Sequence, residues 1–394
     1  MTVERGDAVA LTRALVAVDS RNPSLVAGGP GEQAVARVLS EVLRGWGLNV
    51  EVRDAAPGRP NVVARTAHAS STADRPALMF NGHLDIVGTE GMTHAPFDTA
   101  VRHARIYGRG SADMKAGIAA MCAAAVRAED AGLAAPVILA AVADEEFESL
   151  GTRALLSSGV RAAGAIVTEP TRLAIAPAHR GFAFLTVTVH GRAAHGSRWD
   201  IGVDAIRHAG LLLAELDALQ EGPLARRLHP LLGPGSLHAS LIEGGTGMST
   251  YPDRCTVKLE RRTLPDERGA DALREVEDAC ARIRARRSTF AADVVLDLAM
   301  GASDVPDDAP IVRALRAALE QSGEQPRIEP MYAWTDCALL NDAGIPAICF
   351  GPGDLALAHA SEEWVSIDEI ERATAVLSRV ALDWGQSAGA NRCS

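Results

Sequence analysis

Between residues 77 and 168 the chain alternates short apolar runs with stretches of helical pattern, and this alternation constrains the fold more than any other feature. Residues 77–80 form an apolar run that reads as a buried strand, broken by Asn81-Gly82. Residues 115–131 are Ala-rich and stop at Gly132, the pattern of a buried helix. A second apolar run at 137–142, a helical piece at 150–157 and a short strand at 165–168 follow. Strands alternating with helices imply an α/β fold whose sheet is mostly parallel. In such sheets chemistry sits at the C-terminal ends of strands, and His83 lies just beyond one.

The flanks extend this pattern. A helical stretch covers 8–18, and Gly29-Pro30-Gly31 punctuates. Val35, Val38, Leu39, Val42, Leu43 and Trp46 then recur at helical spacing up to Gly47. Strands are expected around Val50 and Val52 and at 61–65. From about residue 178 the character changes. Strand 183–190, helix 203–219, strands 237–242 and 256–262, helix 270–286 and strand 292–298 give the order β-α-β-β-α-β of a split, ferredoxin-like unit. The α/β pattern returns with helix 311–322, strand 347–350 and helix 368–384. The expected organisation is an α/β domain in two parts, 1–177 and 300–394, with an inserted domain at 178–299.

Length agrees with this division, since 394 residues suit two domains better than one core. With 50 acidic against 39 basic residues the net charge of −11 disfavours nucleic acid or an anionic membrane as the main partner. The basic cluster Arg282, Arg284, Arg286 and Arg287 reads as the solvated end of a helix. Charged residues interrupt the first 20 positions, so no signal-peptide core can be drawn there, and no run approaches the ~20 apolar residues of a membrane span. The six cysteines (Cys122, Cys255, Cys280, Cys337, Cys349, Cys393) are scattered without a Cys-x-x-Cys pair, which suits reduced thiols in the cytoplasm. A metal in this chain must be held by histidine and carboxylate.

Such residues recur at telling places. His83 and Asp85 are two apart at a strand end, where both side chains reach one side. Asp113 lies in the Gly-rich run Gly108-Arg109-Gly110-Ser111-Ala112-Asp113-Met114-Lys115, which lacks the Gly-Lys-Ser/Thr of a phosphate loop. Asp144-Glu145-Glu146 follow the strand at 137–142; adjacent carboxylates raise one another's pKa unless a cation is near. Glu169 follows the strand at 165–168, and His359 lies beyond Gly351-Pro352-Gly353. Each has an ordinary reading, as a helix cap, a loop tip, a turn acid or a surface histidine. Together, at one expected sheet edge, they form a cysteine-free cluster suited to Zn²⁺, with Mn²⁺ or Co²⁺ as rivals.

At this point the chain resembles the co-catalytic zinc metallopeptidases that include aminoacylase, acetylornithine deacetylase, succinyl-diaminopimelate desuccinylase and carboxypeptidase G. The resemblance is carried by Gly82-His83-Leu84-Asp85, by the Gly108 to Lys115 run, by Asp144-Glu145-Glu146 and Glu169-Pro170-Thr171, by Gly191-Arg192-Ala193-Ala194-His195-Gly196-Ser197, and by Gly351-Pro352-Gly353 with His359. It implies two Zn²⁺ per subunit bridged by Asp113, with His83 and Glu169 completing one site and Glu146 and His359 the other. It further implies that Asp85 orients His83, touching only that residue, and that Glu145 is the general base toward a metal-bridging water. A cis Asp113–Met114 peptide belongs to the same pattern.

The resemblance makes the inserted domain a lid and the surface of a homodimer. His195 then reaches a partner's active site to stabilise an oxyanion, and Arg262, or its neighbour Arg261, grips a substrate carboxylate with the backbone around Gly353. Alternation along the strand lets only one of the two arginines face inward. Ser249 stands where many members carry an oxyanion-assisting Asn, a departure that weakens the transfer of substrate specificity. The implied function is hydrolysis of an N-acyl amino acid. The alternatives are a carboxypeptidase or dipeptidase acting on a short peptide, and a catalytically silent binding protein.

Overall fold

The computed structural model describes residues 3–66 and 76–385. Cys393 and the outermost residues of the expected first and last segments lie outside the described residues. Along the chain the main elements are helices α1 (Ala8–Val16) and α2 (Gln33–Gly45), strands β1 (Asn49–Ala56), β2 (Arg59–Arg65) and β3 (Leu78–His83), helix α3 (Ala116–Ala131), strand β4 (Val137–Val142), helix α4 (Leu150–Ser157) and strand β5 (Gly164–Val167). Next come strand β6 (Gly181–His190), helix α5 (Ala205–Leu219), strands β7 (Ser236–Gly244) and β8 (Arg254–Thr263), helix α6 (Gly269–Arg286) and strand β9 (Ala291–Met300). Helices α7 (Pro310–Gln321) and α8 (Cys337–Asp342), strand β10 (Ala347–Cys349) and helix α9 (Ile367–Asp383) complete the set.

The chain divides into two compact units. Unit 1 comprises residues 1–177, 305–331 and 335–394; unit 2 comprises 178–304 with 332–334. Unit 1 is a mixed α/β body whose six-stranded sheet has the order β1-β2-β4-β3-β5-β10. The run from β4 through β3 and β5 to β10 is parallel, whereas β1 and β2 form an antiparallel edge. That edge departs from the all-parallel trend because only the two residues between Ala56 and Arg59 separate the strands, too few for a crossover. Alternation divides the sheet's side chains between its faces. Leu78 and Phe80 of β3 join Leu139, Ile166 and Ile348 in a fully buried core with α1, α2, α3, α7 and α9.

Helix α3 is alanine-rich because it packs unusually close to the sheet. A Cβ at Gly117 would overlap the Thr168 carbonyl oxygen, and Ala116, Ala119, Ala120 and Ala123 are fully buried. This close approach brings the turn at Ser111–Lys115, and with it Asp113, to the C-terminal end of β3 and β5. The helix itself begins only at Ala116, since Asp113 (φ −119°, ψ 96°) and Met114 lie outside helical space. The Asp113–Met114 peptide is cis.

Unit 2 has a four-stranded antiparallel sheet of order β7-β8-β6-β9. Its core is built from Leu185, Val187 and Val189 of β6 against Ala209 and Leu212 of α5 and Val276 and Ile283 of α6. Arg282 and Arg286 of the expected solvated helix end pair with Glu215 of α5. Cys122, Cys255, Cys280, Cys337 and Cys349 are free and buried. Among the described residues no helix is long and apolar enough to cross a membrane.

Candidate metal centre

Strands β4, β3 and β5 are parallel neighbours, so their C-terminal ends coincide and deliver His83, the 144–146 loop and Glu169 to one place. His83 is 1% exposed and its orientation is set by one hydrogen bond: Nδ1 donates to the Asp85 carbonyl oxygen at 2.9 Å. A carbonyl only accepts, so Nδ1 carries a proton and Nε2 is the nitrogen turned to the cluster, as a lone pair when the ring is neutral. There Nε2 faces Asp113 Oδ1 at 3.1 Å and Glu169 Oε1 at 4.0 Å. The other Asp113 oxygen, Oδ2, lies 3.6 Å from His359 Nε2, which is itself 3.2 Å from Glu146 Oε1. One carboxylate thus presents its two oxygens to two histidines, each accompanied by a further glutamate.

Ligand atoms of His83, Glu145 and Glu169 lie within 4.8 Å of one another, as do those of His83, Asp113 and Glu146. The donor set fits a divalent cation on chemical grounds. A histidine lone pair facing a carboxylate oxygen is repulsive unless a proton or a metal ion lies between them. Burial, reinforced by neighbouring acids and only partly offset by His83, holds Glu145 and Glu169 well above the usual carboxylate range. Burial likewise raises Glu146, against the opposing hydrogen bond from His359. For His83 burial disfavours the charge, but Asp113, Glu145 and Glu169 outweigh it and raise the imidazole pKa well above its ordinary value. Burial works against ionised Asp113, but the His83 hydrogen bond and the charges of His83, His359 and Arg109 together outweigh it and hold its pKa low. The site is short of positive charge. Nitrogen and oxygen donors without thiolate suit zinc, manganese or cobalt.

Two expectations are corrected. Asp85 does not touch His83 alone, and the bond it gives His83 comes from its backbone; its carboxylate is 3.7 Å from Nδ1. That carboxylate instead accepts from Glu145 N (3.1 Å), Glu146 N (3.3 Å) and Asn22 Nδ2 (2.8 Å), because three N–H donors converge on it. Gly353 offers no free backbone group for a substrate carboxylate: its N–H donates to Glu369 Oε2 at 2.7 Å and its carbonyl accepts from Arg172 N at 2.8 Å.

Of the three adjacent acids only Glu145 and Glu146 belong to the cluster, since Asp144 turns to Arg59 and Asn22. In unit 2, Arg261 is 1% exposed and enclosed by Glu267 and Glu275. Arg262, on the opposite face of β8, keeps 34% of its side chain exposed, pairs with Glu260 at 2.5 Å and lies over the Phe182 ring. His195 is exposed, with Nδ1 2.8 Å from Ser197 Oγ, and Ser249 is an exposed neighbour whose carbonyl accepts from Gly196 N.

Supporting residues that sequence reading did not single out complete the picture. Glu363 accepts from the Ala112 and Asp113 N–H groups (2.9 and 3.2 Å) and pairs with Arg109 at 2.7 Å, pinning the turn that carries Asp113. Asp336, buried, accepts from Thr152 Oγ1 at 2.6 Å, and burial pushes its pKa up to about 6. Only the position of Glu363 four residues beyond His359 hinted at its part.

A model described as peptidase family M20/M25/M40 matches residues 79–383. An acetylornithine deacetylase of Myxococcus xanthus is 31% identical over 83% of this chain and 84% of its own. The N-formyl-4-amino-5-aminomethyl-2-methylpyrimidine deformylase of Bacillus subtilis (strain 168) is 28% identical over 89% and 88%. In structure, an M20 family metallo-carboxypeptidase from Sulfolobus solfataricus superposes with a TM-score of 0.79 at 16% identity, over 96% of this chain and 99% of the other. From the extent of the family match and the deacetylase likeness, the chain belongs to peptidase family M20/M25/M40.

Proposed function

We propose that this protein is a di-metal amidohydrolase that removes the acyl group from an N-acyl amino acid. The observation that carries the reading is the Asp113 carboxylate, whose two oxygens face His83 and His359 with Glu145 alongside. His83, Asp113 and Glu169 would hold one Zn²⁺, and Asp113, Glu146 and His359 the other, with Co²⁺ or Mn²⁺ as substitutes. Two cations there would polarise the scissile carbonyl and acidify the attacking water.

Glu145 takes a proton from that water as the new C–O bond forms, and delivers it to the amine nitrogen as the C–N bond breaks. A carboxylate held above its ordinary pKa range by burial suits both transfers. Arg262, rather than the enclosed Arg261, is the candidate grip for a substrate carboxylate, because its guanidinium keeps an open face. Ser249 and His195 are the remaining candidates for substrate contact and for oxyanion stabilisation from a partner subunit.

We read unit 2, with its β-α-β-β-α-β order and antiparallel sheet, as a ferredoxin-like lid through which two copies pair. Free buried cysteines and an acidic overall charge support a cytoplasmic setting. The relatives' names range from an acetylated amino acid to a formylated pyrimidine amine, so the acyl group is the open variable. The test is a panel of N-acetyl, N-succinyl and N-formyl amines and dipeptides, assayed with and without chelator. Chelator-sensitive turnover of an N-acyl amino acid is the expected result. Faster turnover of dipeptides would move the reading to a peptidase, and full metal occupancy without turnover to a binding protein.

A further inference from the structure

We propose that Arg59, acting with Glu32 and Asn22, is the positioning group for the Glu145–Glu146 pair, a buried cation behind the candidate metal centre that holds the acidic loop in place. The inference rests on the roles given above to Glu145 and Glu146. Arg59 opens β2, on the antiparallel side of the sheet, and is 8% exposed. Its guanidinium forks onto Glu32, Nε to Oε2 at 2.6 Å and Nη2 to Oε1 at 2.7 Å, and Nη2 also reaches Asp144 Oδ1 at 2.9 Å. Glu32 in turn accepts from Asp144 N at 3.2 Å. Asn22 Nδ2 ties Asp144 Oδ1 (3.0 Å) to Asp85 Oδ2 (2.8 Å), and the Asp85 carboxylate receives the N–H groups of Glu145 and Glu146.

Arg59 is thus connected by hydrogen bonds to the two peptide groups that aim the acids. Two features show that the arrangement needs holding. Asp144 is a non-glycine residue in the left-handed region (φ 67°), which persists only when its surroundings fix it. Glu32, Asp85 and Asp144 are each 0% exposed; Glu32 and Asp144 meet the guanidinium directly, and Asp85 lies one amide further on, through Asn22. Without Arg59 their repulsion would fall on the one loop that carries both Glu145 and Glu146. The planar fork matters as well as the charge, because a lysine ammonium cannot bridge Glu32 and Asp144 in the same bidentate way. The anchor reaches Glu146 and Glu145, whereas Glu169 and His359 are carried by other segments. Its removal should therefore weaken one metal position selectively.

The test titrates full-length Arg59→Met and Arg59→Lys with Co²⁺, followed by visible absorption and calorimetry, alongside kcat and KM on the best substrate of the panel. The expected result is a folded Arg59→Met protein whose first Co²⁺ binds as in the parent. Its second should bind about 10- to 100-fold more weakly, the range seen when groups supporting metal ligands are removed. The turnover number should fall in the same range with KM little changed, and Arg59→Lys should recover part of both losses. Parent-like binding of both ions and parent-like kcat in Arg59→Met would overturn the proposal, as would equal weakening of both ions. If Arg59→Met does not fold, Asn22→Ala cuts the link from Asp144 to Asp85, along with a local bond from Ser24 N–H, and decides by the same selective loss or its absence. An inactive parent would overturn the amidohydrolase reading while the Co²⁺ titration still decided the role of Arg59.

Discussion

In unit 2 the carboxylates of Glu267 and Glu275 meet the guanidinium groups of Arg227 and Arg261; in unit 1 the carboxylates of Asp113, Glu145, Glu146 and Glu169 meet only histidines. Both groups have buried or nearly buried carboxylates and one half-exposed cation, Arg227 in the first and His359 in the second. Their balance differs. In the first, burial works against ionised Glu267, but the Leu264 N–H and Arg261 outweigh it and hold its pKa low. In the second, burial and mutual repulsion hold Glu145 and Glu169 high. A cluster that is neutral within itself stabilises a fold and asks for nothing more. A cluster short of cations stores a demand that an external ion meets, which marks the second as the functional one.

The sharpest test of that contrast is Glu145→Ala. It should leave two metals and the fold in place while kcat falls by about 10²- to 10⁴-fold, the usual worth of a general base. Steady-state kinetics with metal analysis decides, and near-normal turnover would remove Glu145 from its role. On the balanced side, Arg261→Met leaves two buried glutamates under-compensated and should cost about 3–5 kcal/mol in denaturant unfolding, without changing metal stoichiometry.

Chelation should act only on the unbalanced cluster. At free metal about 100 times its Kd, binding adds about 2.7 kcal/mol of stability, so melting temperature should fall on chelation and return with Zn²⁺. In the chelated protein the two clusters should respond to pH in opposite senses. Glu145, Glu169 and His83 have raised folded pKa values, so the folded state retains protons that the unfolded state loses; the contribution of the two glutamates falls as pH rises above about 4.5 and that of His83 above about 6.5. Glu267 has a lowered value, so its contribution is present above about 4.5 and lost as pH falls below it. Unfolding of the chelated protein between pH 5 and 8 should reveal the first trend; a flat or rising profile would contradict the unbalanced cluster. The smallest effect belongs to the surface pair Arg282–Glu215, whose arginine is half exposed. There Arg282→Ala should change stability by less than about 1 kcal/mol.

Much of the fold was legible because it rests on local pattern. The strand at 137–142 and the helix at 150–157 fall where the pattern places them, and Gly132 stops α3 in the left-handed conformation (φ 95°). The antiparallel pairing of β1 and β2 was not legible, since strand direction depends on the partner. Within the site, His83, Asp113, Glu145, Glu146, Glu169 and His359 were legible as residue types after strands and Gly-rich turns. Asn22, Glu32, Arg59 and Glu363 were not, because each is an ordinary polar residue whose partner lies 27 to 254 positions away.

By itself the sequence determined which side chains are available to bind a cation and the order in which strands carry them to one sheet edge, because strand and helix periodicity is a property of neighbouring residues. Only the tertiary structure decided how they are used. It turned the two oxygens of Asp113 toward two different histidines, gave His83 the carbonyl rather than the carboxylate of Asp85, and set Arg59 behind the acidic loop. The reason is physical: hydrogen-bond direction and charge balance are set by groups that converge in space from distant parts of the chain, and no local pattern carries that information.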